Sequence, residues 1–117
     1  LSNRTKKKSD DLKNIFPYLK IIEWGEIPDF DIVINATSLG LNKNDEIIIN
    51  FNKIKSNKLF YDVIYNPAET KFLREANKFG HRTENGKMMF IYQAHQAFTI
   101  WHKIMPTIDE EVIRLLD

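Results

Sequence analysis

Residues 31–41 read DIVINATSLGL, and this stretch decides the fold. Its first five residues are rich in β-branched side chains and are apolar on both faces. They run out into a loop of small and polar residues, Ala36-Thr37-Ser38-Leu39-Gly40. A strand apolar on both faces reads as a buried strand of a parallel sheet. Residues 59–65 (LFYDVIY) predict a second such strand, closed by Asn66-Pro67. Next comes a helix over residues 70–79, with Phe72, Leu73, Ala76 and Phe79 at helical spacing, Thr70 as its cap and Gly80 just past its end. A short strand over 81–84 then precedes Asn85-Gly86.

Beyond that turn, the pattern predicts a long helix from about 87 to 103, stopped by Pro106, and a last one over 109–116 capped by Thr107 or Asp109. Toward the N-terminus, residues 18–24 (YLKIIEW) predict a strand, with Gly25 and Pro28 turning the chain after it. Residues 5–16 predict a helix with Ser2 or Thr5 as N-cap and Pro17 as its stop. Residues 47–55 fit either a strand or a short helix. Strands alternating with helices predict an α/β fold, a parallel sheet with helices on both faces and helices at the C-terminus.

Composition narrows the class. The 117 residues suffice for one domain, and 43% hydrophobic content can fill a core. Mean hydropathy is −0.40, and no apolar stretch approaches the ~20 residues of a membrane span. With no cysteine, disulfides, thiolate metal sites and a cysteine nucleophile are excluded. That composition and the lack of a secretory leader pattern in Leu-Ser-Asn-Arg-Thr give an expected cytoplasmic location. A net charge of +1 offers no strong field for nucleic acid or a membrane surface. Arg4, Lys6, Lys7 and Lys8 are the local exception.

Two absences matter. The glycines (Gly25, Gly40, Gly80 and Gly86) are scattered, and no GxGxxG or GxxxxGK occurs. The chain also opens as though in the last residues of a strand. It therefore reads as the back part of a larger protein, an incomplete Rossmann-like sheet. In such a sheet, the loop after the second strand meets the adenosine ribose. Arg4 could fork two oxygens of a 2′-phosphate there, with Thr5 donating a hydrogen bond and Lys8 one turn further on.

The segments at 31–41, 60–73 (FYDVIYNPAETKFL) and 85–106 (NGKMMFIYQAHQAFTIWHKIMP), with Asn3-Arg4-Thr5 before them, together resemble shikimate dehydrogenase in order and spacing. The resemblance implies a C-terminal, NADP-binding part of an enzyme that reduces 3-dehydroshikimate to shikimate in aromatic amino acid biosynthesis. It implies cofactor contacts from Asn3, Arg4, Thr5, Lys8, Ala36, Thr37, Ser38, Val63 and Gly86, and substrate contacts from Tyr65 and Gln93. Met88 stands where the family pattern has a second glycine.

The family's catalytic lysine–aspartate pair lies in a domain this chain does not contain. No catalytic residue is assigned here, and the chain alone is expected to be inactive. His95 and His102 share a helix face without a third ligand, so no metal is expected. Phe90, Ala94, Ala97, Phe98, Trp101 and Met105 read as a core-packing stripe by default. The whole chain, 1–117, is then a partial cofactor domain whose region 86–117 would pack against the catalytic domain. An exposed sheet edge at residues 31–35 would invite self-association. Two other readings stand beside this one: a quinate/shikimate dehydrogenase using NAD, and a nonenzymatic module docking its basic arm on an acidic partner.

Overall fold

The computed structural model describes residues 1–42 and 44–116. At its centre lie three short parallel strands, β1 (Ile32–Asn35), β2 (Leu59–Asp62) and β3 (Arg82–Glu84), in the order β1-β2-β3. Val33 stands opposite Phe60 and Asn35 opposite Asp62, while Phe60 pairs across to Thr83. Because side chains alternate along a strand, these residues share one face of the sheet. Phe60 and Asp62 are fully buried on it.

That face is covered by α2 (Lys71–Lys78), whose Phe72, Leu73 and Ala76 are buried with Phe60 in the core. The Thr70 hydroxyl accepts from the Leu73 amide and caps the helix. At the other end Gly80, at φ +77°, occupies the left-handed conformation that ends it. Residues 47–55 form neither a regular strand nor an α-helix. They run extended into a single 3₁₀ turn, Phe51–Lys53. Ile47, Ile49 and Phe51 point alternately inward onto the core, and Phe51 lies 5.5 Å from the Phe60 ring and 5.2 Å from Phe79. The alternation is that of a strand, but the segment covers the core edge without pairing into the sheet.

Cover over the sheet is uneven: on the side away from α2, Ile32 is 55% and Ile34 59% exposed. Helix α1 (Lys6–Ile15, KKKSDDLKNI) buries only Ser9 and has too little apolar surface to cover them. Residues 18–24 begin and end in turns and form no strand, which corrects that expectation. Their pairing is a single parallel rung, in which the Leu1 amine donates to Lys20 O (2.7 Å) and the Ile22 amide donates to Leu1 O (3.0 Å). Ser2 adds a hydroxyl bond to Glu23 O.

Helix α3 (Lys87–His102) ends at Lys103, which adopts φ +56°, three residues before Pro106. Helix α4 (Glu110–Arg114) is capped by Asp109, whose carboxylate accepts from the Val112 amide at 3.0 Å. The predicted core stripe along α3 is also corrected. Only Ile91 of this helix is buried, and Trp101 is 76% exposed. Past its first two turns its residues are exposed or half-buried, Phe98, Ile100 and Trp101 among the exposed ones. Among those residues, no helix is long and apolar enough to cross a membrane.

Candidate functional site

Three loops leave the carboxyl ends of the parallel strands on the same side: 36–38 after β1, 63–66 after β2 and 85–86 after β3. In open α/β sheets ligands bind outside these ends. Ala36 and Ser38 are small and exposed, which leaves room for close approach. The Thr37 side chain is committed internally: its hydroxyl donates to Asn35 Oδ1 (2.7 Å) and accepts from the Leu39 amide (3.1 Å). Thr37 thus shapes the loop and leaves only backbone and methyl to a ligand.

The second loop is tied to the third. The Gly86 amide donates to Ile64 O at 3.1 Å, and Gly86 packs directly on the Val63 backbone. Asn85 completes the turn, donating to Ala68 O (2.9 Å) and accepting from the Lys87 amide (3.0 Å), so that it starts α3 where Gly86 has no side chain to do so. Met88 lies half-buried in the first turn of that helix. The Tyr65 ring stacks on Phe90 at 4.5 Å between centroids. Gln93 is exposed and lies three residues beyond Phe90, hence on the same side of the helix. Val63 and Gly86 are therefore in contact, and Tyr65 lies against the helix that carries Gln93.

Asn3, Arg4, Thr5 and Lys8 form a separate cluster at the start of α1. Asn3 Oδ1 accepts from the Thr5 amide at 2.8 Å, folding the loop back on itself. Thr5 stands at the N-cap, yet its hydroxyl makes no capping bond. Arg4 and Lys8 are exposed and, among the described residues, make no ion pair. Lys6 differs: it is paired with Glu23 at 2.9 Å, and that hydrogen bond raises its pKa above the usual lysine value. Among the described residues, no hydrogen bond joins this cluster to the three strand-end loops.

Sequence reasoning missed the residues behind the loops. Asn35 and Asp62 are buried polar side chains at the last positions of β1 and β2, bonded to each other at 3.1 Å. The signal was present, since an acid amid the apolar run LFYDVIY must be satisfied if that strand is buried. The histidines have other partners: His95 Nε2 lies 2.9 Å from Pro106 O, and His102 packs on Phe98.

No family model matches the chain. The shikimate dehydrogenase (NADP(+)) of Pelagibacter ubique (strain HTCC1062) is 62% identical over 117 residues, covering all of this chain and 44% of that protein. A shikimate dehydrogenase solved in complex with NADP+ has a TM-score of 0.78 at 32% identity, over 98% of this chain and 44% of the other. The shikimate 5-dehydrogenase of Thermus thermophilus, solved with NADP(H) and shikimate, reaches a TM-score of 0.80 at 26% identity, over 99% of this chain and 45% of the other. The chain spans less than half the length of the relatives it matches, and along its whole length it is similar to them in sequence and in Rossmann-like fold.

Proposed function

We propose that this chain is the NADP-binding part of a shikimate dehydrogenase, serving the NADPH-dependent reduction of 3-dehydroshikimate to shikimate. The observation that carries the reading is 62% identity to such an enzyme at full coverage of the chain. The residues present fit the cofactor. Arg4 and Lys8 are exposed cations without an acid partner among the described residues, and the uncommitted Thr5 hydroxyl stands between them. They would hold the 2′-phosphate, while Ala36 and Ser38 leave space along the dinucleotide. The bound nicotinamide supplies the hydride. Val63 and the Gly86 backbone would border that ring.

Tyr65, held by Phe90, and Gln93 would hydrogen-bond the substrate, since a phenol and an amide can each donate and accept toward a polyol. Proton delivery to the carbonyl is assigned to residues outside this chain. The exposed apolar residues of 86–117 would pack against that catalytic portion, and the assembled enzyme would work in the cytoplasm.

Activity of the full-length enzyme tests this: purified protein should oxidise shikimate with NADP+. Tyr65→Phe and Gln93→Ala should each cut kcat/KM for shikimate about tenfold, the size of one hydrogen bond lost to a bound polar substrate, while NADP+ binding persists. If both variants keep normal kcat and KM, the two side chains are structural and the substrate site lies elsewhere.

A further inference from the structure

We propose that Asp62 is a positioning residue that locks the 36–38 loop to the Tyr65 end of β2, so that the cofactor side and the substrate side of the site move as one body. The roles of the two sides rest on the reading above; the lock itself rests on geometry. Asp62 is fully buried, and its partners among the described residues are neutral. Its Oδ1 accepts from Asn35 Nδ2 (3.1 Å) and from the Ile64 amide (3.1 Å), and its Oδ2 accepts from the Thr70 hydroxyl (2.6 Å). One carboxylate thus joins the ends of both strands and the cap of α2.

Asn35 carries the link onward. Its amide donates to Asp62 and to Leu39 O (3.0 Å), and its carbonyl accepts from both the Thr37 amide (3.0 Å) and the Thr37 hydroxyl (2.7 Å). All four hydrogen-bonding positions of that amide are filled, so it cannot turn without breaking several bonds. A second contact closes the loop from its far end. Gly40, at φ +118°, is packed so closely that a Cβ there would lie 3.2 Å from Ile64 Cδ1 and 3.2 Å from Thr70 Cγ2. The loop is therefore held at both ends against residues that Asp62 also holds.

Hydride transfer demands reacting atoms about 3–3.5 Å apart, and a misplacement near 1 Å costs about a hundredfold. A rigid connection between the two loops meets that demand without touching either ligand.

The test uses the full-length enzyme with Asp62→Ala, Asn35→Ala and the near-isosteric Asp62→Asn. Asp62→Ala should speed backbone hydrogen exchange across residues 36–39, none of which bonds Asp62 directly, about tenfold or more. Should that variant not fold, Asn35→Ala should likewise loosen residues 64–65, to which the Asn35 side chain makes no hydrogen bond. Either change should lower kcat about 10–100-fold with KM for shikimate within about threefold, as for lost support behind a catalytic group. Asp62→Asn should stay within about threefold of the parent, because its carbonyl can still accept from Ile64 and Asn35 while the Thr70 hydroxyl turns to accept. A lower Tm with unchanged exchange at the distant segment would overturn the proposal. If the unmutated enzyme does not oxidise shikimate with NADP+, the functional reading falls, and the exchange measurement alone still decides the lock.

Discussion

Gly86 owes its identity to crowding. Its φ is −78°, which any residue adopts, but a Cβ at this position would overlap the Val63 carbonyl. Gly86→Ala must push two strand-end loops apart and is expected to cost about 2–3 kcal/mol, the range for overpacking a buried contact. Thermal unfolding should show the loss as a Tm several degrees lower. Arg4 poses the opposite case, an exposed side chain with no structural bond to lose. Arg4→Ala should leave Tm unchanged and weaken NADPH by about 1.5–3 kcal/mol, the worth of a charge-assisted phosphate contact. NADH, which lacks the phosphate, should bind as before. Equal losses for both cofactors would remove the 2′-phosphate assignment.

At the scale of elements, legibility followed local determinants. Helix α2 was readable because Phe72, Leu73 and Ala76 repeat at helical spacing between a threonine cap and a glycine stop. β1 and β2 were readable from their apolar runs, whereas β3 (RTE) was readable only from its place between Gly80 and the Asn85-Gly86 turn. Residues 18–24 carry an equally good strand pattern, but among the described residues their backbone finds only Leu1 and the Ser2 hydroxyl as partners distant in the chain, and pairing is a tertiary fact that no propensity encodes. The stripe on α3 failed for a related reason, since periodicity marks an apolar face without saying what covers it. Of the candidate site, Tyr65 and Gln93 are proposed only through resemblance; the buried Asn35–Asp62 pair was legible in principle from its setting.

The amino ends of β1 and β2 add a testable element. Lys58, whose side chain is only 12% exposed, reaches Asp29 (3.3 Å) and Asp31 (3.4 Å), and Lys55 reaches Asp29 at 2.7 Å. Hydrogen bonds from Lys55 and then Lys58 hold the Asp29 carboxyl below its ordinary 3.8. A carboxyl lowered by folding stabilises above its unfolded value and loses that contribution as the pH falls through its folded one. Tm should therefore hold steady near neutrality with respect to this cluster and decline below about pH 4. Asp29→Asn should flatten that acid limb.

The whole molecule is open for its size. Its radius of gyration is 16.7 Å, against about 13 Å for a compact domain of this length. Its accessible surface is 8935 Å², where a compact chain of this mass would show about 6,600 Å². Ile32 and Ile34 on β1 and Tyr92, Phe98, Ile100 and Trp101 on α3 are among its exposed apolar side chains. We expect the 117-residue chain to self-associate through β1, whose open backbone is flanked by Ile32 and Ile34. Sedimentation at micromolar concentration should show dimers or larger species, and Ile34→Lys should shift them toward monomer. A monomeric parent chain would exclude the edge as an association surface.

The uneven cover over the sheet has a calorimetric consequence. The heat capacity increment of unfolding follows the apolar area newly wetted, and here part of that area is wet already. Taking the unfolded chain at about 20,000 Å², the area released falls about a sixth short of a compact domain's. Both the increment and the denaturant m-value should be depressed by at least that fraction. The stability curve of the chain alone would then be unusually flat, and docking of a partner on the exposed faces would restore its curvature.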